Sequence, residues 1–175
     1  MMAAYGMRYV FTGHFHAQDI TRKAWPDTGI PNHFLCDIET GSLVTYPVPW
    51  RLIEFSTQQM MVSSNRIESI PSHPTGFPEF ARDYAKAGTI LLANEALTGY
   101  GVPEADQVLV SPQIAEAYLT HLTGDEIIPN PIIDKSGLSL IGRVVLLVQG
   151  DLIEGWYTDI LPSDNHITID LETGL

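Results

Sequence analysis

Two histidines separated by one residue, in the stretch FTGHFHAQDI (Phe11 to Ile20), are the side chains whose types and spacing best suit chemistry. On an extended backbone, residues i and i+2 project to the same side, so His14 and His16 would present two imidazoles together. Imidazole nitrogen suits zinc, iron or manganese, and sites that add carboxylates to imidazoles suit the same set. Such a pair holds one cation jointly, or one each of two neighbouring cations. The plainer alternative is two surface histidines in a loop. Gly13 lets the chain turn sharply there and lets other backbone approach. Three further side chains are candidates for the surroundings. Asp19 could accept from an imidazole and fix its orientation, although an Asx turn or cap is its commoner use. His33 opens the next strand. Arg51 could reach an anionic substrate, although on a strand it more often faces water or an acid.

These residues need elements to position them. The apolar run YVF before Thr12 reads as a strand, and strand ends are where α/β sheets place ligands. From Asn32 to Ile70 come short strands, HFLCDIE, SLVTYP, WRLIEFS and MMVSSNRIESI, separated by Gly41, Pro47, Pro49 and the polar STQQ, the pattern of an antiparallel meander. Beyond Gly76 the spacing turns helical, with Phe77, Phe80, Ala81, Tyr84, Ala87 and Leu91 on one face. Ser111 and Pro112 predict an N-cap and first helical residue, with Gly124 past the end. Leu138, Ile141, Val145, Val148 and Leu152 mark another helical face, although β-branched GRVVLLV also suits a strand. DIETGSLV at 37–44 is echoed by DLETGL at 170–175, each a strand running into a Thr-Gly turn. The expected fold class is α/β or α+β. The expected division is residues 1–70, with strands and meander, and 71–175, a mainly helical accessory region ending in a strand.

Composition narrows the functions. The chain has 175 residues, 45% of them apolar and 17% charged, as in a soluble globular protein. Its net charge is −12, from nine basic and 21 acidic residues, which disfavours nucleic acid as a partner. No apolar run approaches the ~20 residues of a membrane span. The start, MMAAYGMRYVF, lacks the cationic and long apolar regions of a secretory signal. The single Cys36 excludes an intramolecular disulfide and a cysteine-based zinc site. There is no Gly-x-Ser-x-Gly elbow and no glycine-rich loop opening a helix.

With an apolar strand directly before it, YVFTGHFHAQD resembles the last metal-binding motif, Gly-His-x-His, of the calcineurin-like metallophosphoesterases. DIETGSLVTYPVPWR resembles the region after that motif in some bacterial members, so the likeness covers about the first 70 residues. It implies the C-terminal part of a four-layered α/β sandwich and a phosphatase or phosphodiesterase, a hydrolase of phosphate esters, as the intact parent. It implies two divalent metal ions (Zn, Fe or Mn), with His14 on one and His16 on the other. It also implies a small phosphoester as partner, with export of the parent in some bacterial members.

The family's other motifs stand before Gly-His-x-His: an Asp-x-His, a Gly-Asp-x-x-Asp, a Gly-Asn-His and a further histidine. None occurs in the 13 residues before His14. GDLIE at 150–154 echoes one of them, but in the wrong order and with a final Glu. His121 and Asp125 read as solvated, His73 and His166 as loop and strand-edge residues, and Trp25, Trp50 and Trp156 as packing residues. The expectation is therefore a C-terminal fragment with Met1 or Met2 as a truncated or misassigned start. Alone it would be inactive, weak in metal binding and prone to self-association through exposed apolar surface. The alternative is a non-catalytic interaction or structural module that keeps a remnant of the motif.

Overall fold

The computed structural model describes residues 5–25, 29 and 32–174; the proposed Met1 or Met2 start and Leu175 of the terminal echo lie outside them. Alternation of apolar and polar residues builds the strands. In β3 (Phe34–Glu39), Phe34, Cys36 and Ile38 are buried while Leu35, Asp37 and Glu39 are less so. β3 is the centre of a three-stranded sheet, parallel to β1 (Tyr9–Thr12) and antiparallel to β2 (Asp19–Ala24), in the order β1-β3-β2. A second sheet has the order β4-β5-β6, all antiparallel, from β4 (Pro49–Phe55), β5 (Gln59–Arg66) and β6 (His166–Asp170). Ile20 and Ile38 of the first sheet meet Met60, Val62 and Ile169 of the second in one core, each fully buried.

The helical region follows the second sheet's hairpin. Among the described residues it holds α1 (Phe77–Gly99), α2 (Glu104–Thr123), α3 (Leu140–Val148) and the short α4 (Gly150–Gly155). α1 and α2 form a helical hairpin, tied across its surface by Arg82 and Lys86, both on Glu116. A second core lies here, with Leu97, Val110, Ala117, Leu146 and Ile153 among its members. The architecture is α+β.

Two expectations change, and one ambiguity resolves. The stretch 32–70 is not one meander: β3 belongs to the first sheet, and SLVTYP is a run of turns, closed by Thr45 N–H to Ser42 O (3.2 Å) and Val48 N–H to Thr45 O (2.7 Å). Only the β4–β5 hairpin pairs as a meander would. Ser111 and Pro112 lie inside α2, which starts at Glu104. Proline in a helix interior costs about 3 kcal/mol, and burial of Val110, Ala115, Ala117 and Leu119 on both sides of it outweighs that. Ser111 is buried, and its hydroxyl donates to Asn94 of α1 instead of capping. The segment around GRVVLLV is helical, with Ser139 as its N-cap accepting from Gly142 N–H at 3.2 Å. The terminal echo is a strand on the edge of the second sheet. Its turn is held by Asp170, whose carboxylate accepts from Glu172 N–H (2.9 Å) and Thr173 N–H (2.8 Å).

Candidate functional site at the ends of β1 and β3

Because β1 and β3 are parallel, their carboxyl ends lie at one edge of the sheet, where β2 begins. β1 and β2 flank β3, so residues 13–18 must cross over the end of β3 to join them. That crossing carries His14 and His16. It is fixed from below by β3 and its extension. The Phe15 N–H, between the two histidines, donates to the Glu39 carboxylate at 2.6 Å. Thr12 donates its hydroxyl to Asp37 at 2.6 Å, and Thr40 N–H donates to Thr12 O at 3.0 Å. At Gly41 a Cβ would lie 2.7 Å from Pro49 Cγ and 2.8 Å from the His16 carbonyl oxygen, so no other residue fits beneath the arch. The histidines are not on an extended backbone. Residues 14 and 15 form a bend, and His16 has φ 63°, a left-handed conformation uncommon outside glycine. The i, i+2 rule therefore does not set their directions. His14 is exposed with its ring edge-on to Phe15 at 5.2 Å, and His16 is half-buried.

A buried polar layer lies under the arch. Gln18, 1% exposed, accepts from Gly41 N–H at 2.8 Å and donates to Ser64 Oγ at 2.9 Å, joining the loop to both sheets. Arg51 donates to Ser64 Oγ (3.1 Å), to the Asp19 carbonyl (3.4 Å) and to the Asp164 carbonyl (2.8 Å). Burial lowers its pKa to about 10, which leaves it charged at neutral pH. Asp164, 2% exposed, accepts from Ile20 N–H at 2.6 Å and Asp125 N–H at 2.9 Å. Burial pushes its pKa up to about 7. In the last turn of α2, His121 pairs with Glu126, just past the helix, at 3.0 Å, and that bond raises the imidazole's pKa, with Asp19 and Glu39 adding to the effect.

The sequence candidates thus fall in different places. His14, His16 and Asp19 share this edge. Arg51 lies beneath it, but its donors are spent on Ser64 and two carbonyls, so it is a tie between elements and not an anion ligand. His33 is at the opposite end of β3, about 20 Å from Glu39 at ~3.3 Å per residue, beside Trp25, whose ring centroid is 5.1 Å from its own. His121, read as solvated, is half-buried and faces the loop's acidic surroundings. Glu39 was missed. The i, i+2 spacing of Asp37 and Glu39 on a strand whose other face is apolar was the signal that placed both toward β1 and the loop.

Among the described residues, the group of three whose ligand atoms lie within 4.8 Å of one another is Glu126, Asp159 and Asp164, and neither histidine belongs to it. Both Asp164 oxygens take backbone N–H groups and Glu126 pairs with His121, so two of the three are already engaged within the protein. Among the described residues, neither His14 nor His16 joins such a group of three. Two imidazoles alone do not fit a resident two-metal centre. The chain matches no protein-family model and no curated protein. No helix among the described residues is long and apolar enough to cross a membrane.

Proposed function

We propose that this chain carries the histidine loop of a two-metal phosphoesterase, a hydrolase of phosphate mono- or diesters, and is the C-terminal part of that enzyme's α/β sandwich. His14 and His16 are the ligands it supplies, and the remainder come from chain outside these 175 residues. The observation that carries this reading is the arch itself: a Gly-His-x-His loop crossing the carboxyl ends of two parallel strands, the edge where α/β sheets bind ligands. The acidic net charge is compatible with a phosphate substrate only where cations reverse the local field. Alone, the chain binds Zn, Fe or Mn weakly and hydrolyses no phosphate ester. Reading the DNA in frame before the Met1 codon tests this: the expected frame supplies Asp-x-His, Gly-Asp-x-x-Asp and Gly-Asn-His, and a stop codon directly before Met1 contradicts it. Metal-dependent turnover of p-nitrophenyl phosphate by the chain alone, lost in His14→Ala, would contradict the claim of a partial site.

The second reading is a non-catalytic interaction module. The apolar outer face of α3, where Leu140, Val144, Leu147 and Val148 are all more than half exposed on a helix whose sole charge is Arg143, serves as a contact surface in this reading and as uncovered fragment surface in the first. Such a helix is suited to contact with another surface.

A further inference from the structure

The helical region holds a cavity that no part of the histidine arch uses. Its volume is about 290 Å³, and it lies between α1, α2 and the α3–α4 pair. Its floor is Ala93 and Leu97 of α1, Leu146 of α3 and Ile153 of α4, all buried. Leu92, Tyr100 and Leu152 stand at the rim, each more than half exposed, so the cavity opens to solvent. Tyr118 and Trp156, packed edge to face at 5.4 Å, supply a wall. The space originates in α1, where Thr89, Ala93, Ala96 and Tyr100 recur at helical spacing along the lining. The two middle members are alanines, too short to fill it.

Charge and hydrogen bonding restrict the occupant. Among the described residues that line the cavity, none is charged. The chain carries a net charge of −12, so a carboxylate or phosphate would enter an acidic protein with no cation in the walls to pair with it. A neutral polar handle is present instead. Gln149, the residue between α3 and α4, donates through Nε2 to Tyr100 Oη at 3.3 Å. The Gln149 carbonyl oxygen then remains as an acceptor and the Tyr100 hydroxyl proton as a donor, side by side. Thr89, also in the lining, spends its own proton on the Ala85 carbonyl at 2.9 Å.

We propose that this cavity binds a medium-chain aliphatic alcohol, with the chain inside and the hydroxyl at Gln149 and Tyr100. One hydroxyl oxygen satisfies both partners, donating to the Gln149 carbonyl oxygen and accepting from Tyr100. The length follows from the volume. An apolar cavity of about 150 Å³ holds benzene, and twice that space takes a chain of about eight to ten carbons. The chain regains the packing contacts that an open apolar volume between Ala93, Val145 and Leu146 forfeits. This inference stands on the helical region alone and does not depend on the phosphoesterase reading.

The test is titration of the whole chain, at fixed protein concentration, with 1-octanol and separately with octanoate, followed by NMR. 1-Octanol should shift the Ala93 and Ala96 methyl signals and the Trp156 indole signal to saturation, while Ile20 and Ile38 in the sheet core stay unmoved. Octanoate should bind at least about tenfold more weakly. Gln149→Leu removes the acceptor and should weaken 1-octanol by about three- to tenfold. Ala96→Trp, at an exposed position of α1, fills the cavity and should abolish the Ala93 and Trp156 shifts; should it not fold, Gln149→Leu and the octanoate comparison carry the test. Shifts that never saturate, octanoate bound as tightly as 1-octanol, or an unchanged affinity in Gln149→Leu overturn the proposal. So does an unchanged response in Ala96→Trp. Rim shifts at Leu92 and Leu152 that follow protein concentration and not the alcohol overturn it too, by placing a second copy over the mouth.

Discussion

At the scale of single residues, the loop holding His14 and His16 depends on what lies under it more than on the histidines themselves. Gly41→Ala would drive a methyl group against Pro49 and the His16 carbonyl, one of which is backbone and cannot swing aside. The expected cost is about 1–3 kcal/mol, read by urea denaturation; an unchanged midpoint would show that the arch has slack. Arg51→Ala would strand the Asp19 and Asp164 carbonyls in a buried layer and should cost about 2–3 kcal/mol, with Arg51→Lys failing to restore it because an ammonium cannot span three acceptors on β2, β5 and the loop before β6. Recovery by Lys would contradict that role. The histidine pair was legible in the sequence because Gly-His-x-His after an apolar run is a compact local signal. Arg51 was not. A lone arginine on a strand reads the same whether it points to water, substrate or interior, and only the Asp19 and Asp164 carbonyls, 32 and 113 residues away, decide.

At the scale of elements, the C-terminus of α2 is tied into the sheets instead of ending in solvent. His121 pairs with Glu126 there, and the bond raises the imidazole's pKa. A histidine with a raised folded pKa contributes stability that is fully present below about pH 6.5 and is lost as pH rises through the folded value. Glu126→Gln should lower the His121 midpoint in an NMR titration and shrink the stability lost over that range; an unmoved midpoint would dissolve the pairing. The sequence showed the two long helices because their apolar spacing is local, yet it misplaced the start of α2. Ser-Pro is a strong local start signal, and it was overridden by the tertiary burial of Val110 and Ala117 around it. The β3 partners were also beyond local reading. Alternation in FLCDIE predicts a strand, but nothing in it says that β1 lies parallel on one side and β2 antiparallel on the other. That pairing is what turns a His-x-His loop into an arch over Glu39.

At the scale of the molecule, the described residues form two cores, one between the sheets and one among the helices, and the polar layer of Gln18, Arg51 and Asp164 lies where β2, β4 and the end of α2 meet. The outer face of α3 stays apolar, with Leu140 79%, Leu147 74% and Val148 72% exposed. The chain should accordingly self-associate in sedimentation velocity as concentration rises, and Leu147→Lys should weaken that association; a monomer at every concentration would contradict it. A metal-binding role for the histidine loop is tested by titration of the whole chain with Zn²⁺ and Mn²⁺, watched through the imidazole NMR signals of all the histidines. The His14 and His16 signals should respond to metal, weakly and ahead of His33, His73 and His166, and the His16 response should be lost in His14→Ala. If the two rings stay silent while other histidines respond, or if His16 responds unchanged without His14, the loop is no part of a metal site.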